Sequence, residues 1–402
     1  MSSGNLIQHA YIKEVTYGVT PGSGTWQAIA KTSASFSGTP ETTQSSTVRS
    51  DRMPSGQVIT GLSVSGSINN ELAKSTVHDD FLESVMMSTW PAAAAAIVTD
   101  LAYDGTAGTL TTAAAIDFTA VGANKVEVGD IVKITGLIAP NLDENGSVFF
   151  VTNVAAQVLT VVAGLEVDDW DATAGAGASM QRAPYITIGS TQTSYTFEKQ
   201  YLDLTNRAID YAGQLFSGFN ASFNYGAPVT VDYSLMGNGK DIPGTPLTQP
   251  GGAAAVTAAP SEIFFNPSTS MPFLAIDDTK ASYCVEGVTL SLDNGLTAKN
   301  CISTLKKAGY DLGTANVQVG VNAHFDDNNF DLLQSIMDQD VIEFVWPVID
   351  PTTNTGYAFK VSTQLSADDP DVSGRDSQSM LNLTGSGALG TDDEVLRIYK
   401  ID

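Results

Sequence analysis

Apolar and polar residues alternate along the chain with two periods, first of two and then of helical spacing, and this succession occurs twice. Residues 61–86 read GLSVSGSINNELAKSTVHDDFLESVM. Leu62, Val64 and Ile68 fall on one face of an extended segment and Ser63, Ser65 and Ser67 on the other, as in a half-buried antiparallel strand. After a polar turn, Phe81, Leu82, Val85 and Met86 make one stripe at helical spacing. His78, Asp79 and Asp80 open that helix, where carboxylates suit the positive end of the dipole, and they read as a helix start rather than a catalytic site. Residues 317–337, VQVGVNAHFDDNNFDLLQSIM, repeat the order strand, turn, helix. FLESVM (81–86) and LLQSIM (332–337) align without a gap at an offset of 251 residues (332 − 81).

The remaining pattern is mostly of period two. Strands are expected at 10–17 and 25–37, followed by a polar, aperiodic loop over 38–58. Residues 185–201 and 214–237 resume the alternation. The latter is a hairpin in which Phe219, Ala221 and Phe223 alternate with Asn220, Ser222 and Asn224. Beyond a Gly-Ala-Pro turn at 226–228, Val229, Val231, Tyr233 and Leu235 alternate with Thr230, Asp232 and Ser234. A second series begins at 283–292, passes a long loop to about Gly313 and the repeated strand and helix, and continues through 341–348, 357–366, 377–387 and 394–401. Both series run strand, long loop, strand, helix, strands, closing strand ending in Gly. The pattern predicts a first unit from 1–90 plus 185–240, a linker over 241–262 rich in Gly, Pro, Ala and Thr, and a second unit over 263–402.

The composition shifts inside the first unit. After five alanines at 92–96, residues 97–180 hold 11 Asp and Glu against Lys125 and Lys133, a net of −9. Val- and Ile-rich strands separated by Gly and Asn turns predict a small inserted β-barrel or sandwich over 97–182, placed on the outside of its host.

Charge and chemistry narrow the function. Of 402 residues 43% are hydrophobic and 16% charged, and 19 Lys+Arg against 44 Asp+Glu leave a net charge of −25. Such acidity opposes a grip on phosphate backbones, which depends on Lys and Arg releasing counterions. Cys284 and Cys301 form no CxxC motif, and nothing requires that they pair. The start has no secretory pattern and no apolar tract approaches the ~20 residues of a membrane span, so the chain reads as soluble and made in a cytoplasm. His9, His78 and His324 lack metal spacing, and DDNNFD (326–331) lacks the Gly and Glu of a calcium loop and reads as a turn. GNGK (237–240) lacks the rest of a phosphate loop, and no GxSxG or HExxH occurs. The expectation is therefore no enzyme, no cofactor and no metal. A duplicated, strand-rich chain without catalytic motifs points to assembly. Strands with one apolar and one small polar face can close around a channel when several copies form a ring, with the long polar loops between subunits or rings.

LSVSGSINNEL with its short helix, FSGFNASFNYGAPVTVDYSLMGNG and VEGVTLSLDNGL resemble the major tail tube proteins of long, non-contractile-tailed (siphovirus-type) bacteriophages. The inserted VGDIVKITG…GSVFFVTNVAAQVLTVV is similar to the small β-barrel modules carried outside such tubes. The resemblance implies a mainly β chain: two tandem tail-tube-like β-sandwich or half-barrel units, each with a short helix, plus the inserted β-barrel. It is the fold of type VI secretion tube subunits. Single-unit members form hexameric rings, so two units per chain imply a trimeric ring that imitates a hexamer. Stacked rings line a channel for DNA whose wall is typically acidic. The implied partners are further copies of the chain, tape measure protein and DNA transiently in the lumen, and tail tip and terminator proteins at the ends. The implied location is the virion tail, after assembly in the host cytoplasm. On that basis the candidate lumen-facing residues are Ser63, Ser65, Asn220, Ser222, Asp232, Thr289, Ser291 and Asp293. Two other readings stay open at this point: a different self-assembling tube or coat subunit, and a carbohydrate-binding β-protein in which the insert does the work.

Overall fold

The computed structural model describes every residue except 1–3, 49, 52, 54–55, 113–115, 123–124, 165–166, 206, 244–254, 260–263, 368 and 371–377. The chain is mainly β with a few short helices. The first series comprises β1 (Ile7–Lys13), β2 (Thr25–Ala28), β3 (Ser33–Gln44), β4 (Gln57–Glu71) and α1 (Thr76–Val85). An excursion follows through β5 (Ile97–Thr99), β6 (Leu101–Asp104), β7 (Thr109–Thr112), β8 (Ile131–Thr135), β9 (Val148–Val154), β10 (Val158–Val162) and β11 (Ala178–Arg182). The first series then resumes with β12 (Tyr185–Thr187), β13 (Tyr195–Tyr201), β14 (Ala208–Asn224), β15 (Thr230–Gly237) and β16 (Gly239–Asp241). After β17 (Ala255–Thr257) and α2 (Pro267–Ser270) come β18 (Ala275–Ile276), β19 (Thr279–Lys280), β20 (Val285–Asp293), β21 (Thr297–Lys299) and β22 (Gly309–Asp311). The chain closes with β23 (Asn316–His324), α3 (Asp331–Asp338), β24 (Val341–Ile349), β25 (Gly356–Ala367), β26 (Met380–Gly387) and β27 (Leu396–Ile401).

The pairing order is the same in both series. In the first the neighbours run β1–β13–β14–β15–β4–β3, with β16 on the early part of β14. In the second they run β18–β24–β25–β26–β23–β20, with β27 on the early part of β25. The helix follows the fifth member of the order in each case, after β4 and after β23. The two ladders join where β14 pairs with β20, from Gly218 opposite Asp293 to Asn224 opposite Gly287. At 17 residues β14 is long enough to serve two layers. Ala208–Gln214 pairs with β13, and after a register shift between Phe216 and Gly218 the strand turns into the second layer beside β15 and β20. Gly218 is needed there because a Cβ would lie 2.3 Å from the Leu292 carbonyl oxygen.

One core runs through both series. Phe81, Leu82, Val85 and Met86 of the α1 segment pack with Phe216, Phe219, Tyr233, Val319, Trp346, Phe359 and Leu383, all buried. Ser75 caps α1, its hydroxyl accepting from the His78 amide at 3.3 Å, and Asp79 sits in the first turn.

Several expectations need correction. The 38–58 segment is not a loop throughout: β3 and β4 stay paired out to Gln44 opposite Gln57, as a two-stranded arm. Both faces of the arm's outer part, from Thr39 and up to Thr60, are exposed, so no apolar side marks it in the sequence. The loop before β23 contains the β21–β22 hairpin, folded back on the first series. Within 241–262, residues 244–254 and 260–262 lie outside the described residues, but Ala255–Thr257 is a strand parallel to Thr25–Gln27. The inserted strands make an open seven-stranded sheet, β5–β11–β8–β9–β10–β7–β6, and not a closed barrel. Its edges β5 and β6 are consecutive in the chain with Asp100 between them, and each already pairs elsewhere, with β11 and β7. Among the described residues the seam is bridged by contacts such as Leu101 N–H to Gly175 O at 3.0 Å and the Tyr103–Trp170 bridge.

The insert belongs to the first series in sequence but lies against the second in space. Ile131, Val148, Phe150 and Val162 pack on Phe273, Val345, Ile349, Ala358, Tyr399 and Ile401. Lys133 Nζ donates to the Asp402 backbone oxygen at 2.7 Å, Asn354 Nδ2 to Asn145 O at 3.1 Å, and the Tyr399 hydroxyl to Gly129 O. Immediately after the insert, β12 extends the second ladder by pairing with β27.

Candidate channel-facing surface

Period-two alternation gives the joined ladder two unlike faces. Eight strands form it side by side: β3, β4, β15, β14, β20, β23, β26 and β25. On one face Val64, Ile68, Tyr233, Phe219, Ala221, Leu290, Val319, Leu383 and Leu365 are buried in the core. The opposite face reads as polar rows. Ser33, Asn69, Asp232, Asn220, Ser291, Gln318, Ser386 and Gln364 stand opposite one another in succession across all eight strands. The next row is Glu71, Thr230, Ser222, Thr289, Gly320, Thr384 and Ser366, and another is Ser35, Ser67, Ser234, Gly218, Asp293 and Asn316.

All eight candidates from the sequence lie on this face. Asn220, Ser291 and Asp232 share the first row, Ser222 and Thr289 the second, and Asp293 the third. Ser63 and Ser65 stand opposite Thr39 and Ser37 at the β3 side. They are exposed or half-buried, as a surface requires. The face is concave at its middle: Asn220, Thr289, Ser291, Gln318, Ser366, Thr384 and Ser386 line a trough of about 500 Å³. Sequence reasoning missed Gln318, Asn382, Thr384, Ser386 and the serines of β3, although Asn382, Thr384 and Ser386 alternate with Leu381, Leu383 and Gly385 by the same rule.

The chemistry of the face is hydroxyl, amide and bare glycine backbone, and no Lys or Arg stands in these rows. Carboxylates are few, chiefly Asp232, Asp293 and Glu71. Burial raises the Asp232 carboxyl from its ordinary range. Asp293 accepts from the Gly295 amide at 2.9 Å. Lysine and arginine instead serve packing elsewhere: Lys360 reaches Glu343 and Asp392 at 3.0 Å each, and Arg397 reaches Asp392 at 2.8 Å while stacking 4.2 Å from the Tyr185 ring centre. A face of this kind exposes few fixed charges, and its rows present no cation to a phosphate.

The three histidines lie apart. Burial lowers His9 to about 3 and His78 to about 4, so both are neutral, and His324 Nε2 is 3.0 Å from Glu286. Among the described residues no group of three or more His, Cys, Asp or Glu is placed to hold a metal ion. Cys284 and Cys301 are free and exposed. No helix among the described residues is long and apolar enough to cross a membrane. In the insert, Tyr103, Phe118, Phe149, Phe150 and Trp170 are all buried, so its aromatic rings offer no stacking platform for a sugar.

No curated protein sequence matches the chain. A family model described as phage tail tube protein matches residues 4–387, nearly the whole length, and the chain belongs to the phage tail tube protein family.

Proposed function

We propose that three copies of this chain form a ring, that rings stack into the tail tube, and that the polar face of the eight-strand ladder is the wall along which DNA passes into the host. The observation that carries the reading is that face: continuous across both series, concave, and free of Lys and Arg in its rows. The small polar candidates, Ser63 to Asp293, are its lumen residues. The repeated pairing order supports two equivalent units per chain, which makes a trimer a pseudo-hexamer.

Strand spacing favours three copies. Neighbouring strands lie ~4.8 Å apart, so one copy of eight strands would close at a backbone diameter of about 12 Å. That is no wider than the ~12 Å major groove of the duplex it should admit. Three copies make 24 strands and a diameter of about 37 Å, widened further by strand tilt. The joint between β14 and β20 supplies the pattern for closing the ring, with the free edge of β3 pairing beyond β25 of the next copy. Further copies, DNA and tape measure protein in the lumen, and tip and terminator proteins at the ends are the partners in this reading. Electron microscopy of the purified protein tests it. Flexible tubes or rings with three-fold symmetry are expected; a protein that stays monomeric at high concentration and in assembly-promoting salt would refute it.

A further inference from the structure

The two helices match in sequence but differ in cover. Met86 and Met337 are equivalent in the 251-residue alignment, yet Met86 is 0% exposed and Met337 78%. Six residues of α1 are buried and none of α3 is. The end of α1 is sealed by the second series' own arm. Asn294 Nδ2 donates to Val85 O at 2.8 Å, and Leu296 and Tyr310 pack on Met87 and Leu215. The Tyr310 hydroxyl also donates to Gly237 O at 2.8 Å, at the end of β15.

Among the described residues no arm covers the corresponding place in the second series. The last turn of α3, the start of β24 and the end of β26 come together there, since Val341 pairs with Gln364, Gln364 with Ser386, and Gln364 Nε2 donates to Gln339 O at 3.1 Å. Met337, Val341 at 38% and Leu389 at 63% are the exposed apolar side chains these segments carry. The first series' arm, meanwhile, meets the 305–307 segment through Leu62 N–H to Leu305 O at 2.9 Å and Lys307 to Glu41 at 3.3 Å, and leaves Val58 66% and Ile59 51% exposed.

We propose that the β3–β4 arm of one copy docks on the surface of another copy that carries Met337, Val341 and Leu389, taking the place there that the β21–β22 arm takes on the first series within the chain. The occupant is a second copy because the same chain already shows an arm of one unit on the helix end of the other, and one arm and one helix end are left over. The inference rests on the reading of two equivalent units in a self-assembling wall.

The test uses full-length protein with Cys284→Ser and Cys301→Ser, carrying Val58→Cys and Met337→Cys. A short bismaleimide applied to assembled tubes should give covalent ladders. Chains with one introduced cysteine each, mixed before assembly, should give dimers only. Tubes that form but never cross-link at 58–337 would overturn the docking and leave the tube intact as a proposal; a lasting monomer would overturn both. In parallel, Met337→Glu and Ile59→Asp change exposed side chains, so the monomer should melt as before. Each should raise the concentration needed for assembly at least tenfold, and unchanged assembly would also overturn the docking.

Discussion

If the insert is part of the structural framework and not an ornament, truncating Phe150 to alanine should loosen strands of the second series that Phe150 does not belong to. Phe150 is 1% exposed and packs in the cluster that joins β8–β10 to β24, β25 and β27, whereas its neighbour Phe149 faces the insert's own core. Removing a buried phenylalanine ring costs about 3–5 kcal/mol where the site cannot collapse. Against a total stability on the order of 5–15 kcal/mol, that is a large fraction. Val345, Ile349, Ala358, Tyr399 and Ile401 would lose part of their cover. A loss of about 3 kcal/mol in the opening free energy of β24 and β27 corresponds to roughly a hundredfold faster amide exchange. Hydrogen exchange read by mass spectrometry on peptides covering 341–349 and 396–401 is the assay. The reasoning fails if F150A speeds exchange only within 97–182 and leaves those two strands within a factor of two of the parent. The same packing predicts that deleting 97–182 lowers solubility and stability before it says anything about tube assembly.

Gly218→Ala places a Cβ against the Leu292 carbonyl oxygen at the joint of the two ladders, and should cost about 1–3 kcal/mol in chemical unfolding with loss of assembly; an unchanged midpoint would show that the joint yields. Burial, then the charge of Glu198 opposite it, push the Asp210 carboxyl up to about 7. An acid whose pKa is higher folded than unfolded loses stability as it ionises, so this group should weaken the fold as pH rises from about 4 through 7. Asp210→Asn should remove that slope, melting higher than the parent at pH 8 and alike near pH 4; parallel melting curves at both pH values would refute the assignment. Ser291→Lys puts a cation in the first polar row without touching the core, so tubes should still form while DNA delivery falls, more so at low salt; delivery at the parental rate would remove the face from the DNA path.

What could be read in the sequence follows from where water lies. Strands with one wet and one buried face write themselves as period two, so alternation gave the polar side of each strand, and the resemblance to tail tube proteins grouped Ser63, Asn220, Asp232 and Thr289 as one surface. The structure then set them side by side through register, information that no single strand carries. The outer arm was invisible because both its faces are polar, and a strand with no buried side looks like a loop. The insert's true neighbour was invisible for the opposite reason. Phe149 and Phe150 both needed burial, but residue type does not say against which part of the chain, and Phe150 found β24 nearly two hundred residues away and β27 about two hundred and fifty. The matched helices carry the argument furthest. LLQSIM has the apolar stripe of FLESVM, yet Met86 is covered within the chain and Met337 is not. Leu332, Leu333 and Ile336 of that stripe pack half-buried on the common core, so its uncovered part is Met337. The duplicated sequence thus identifies the missing contact more sharply than the folded chain alone: what the second arm does for α1, an arm from another copy does for α3.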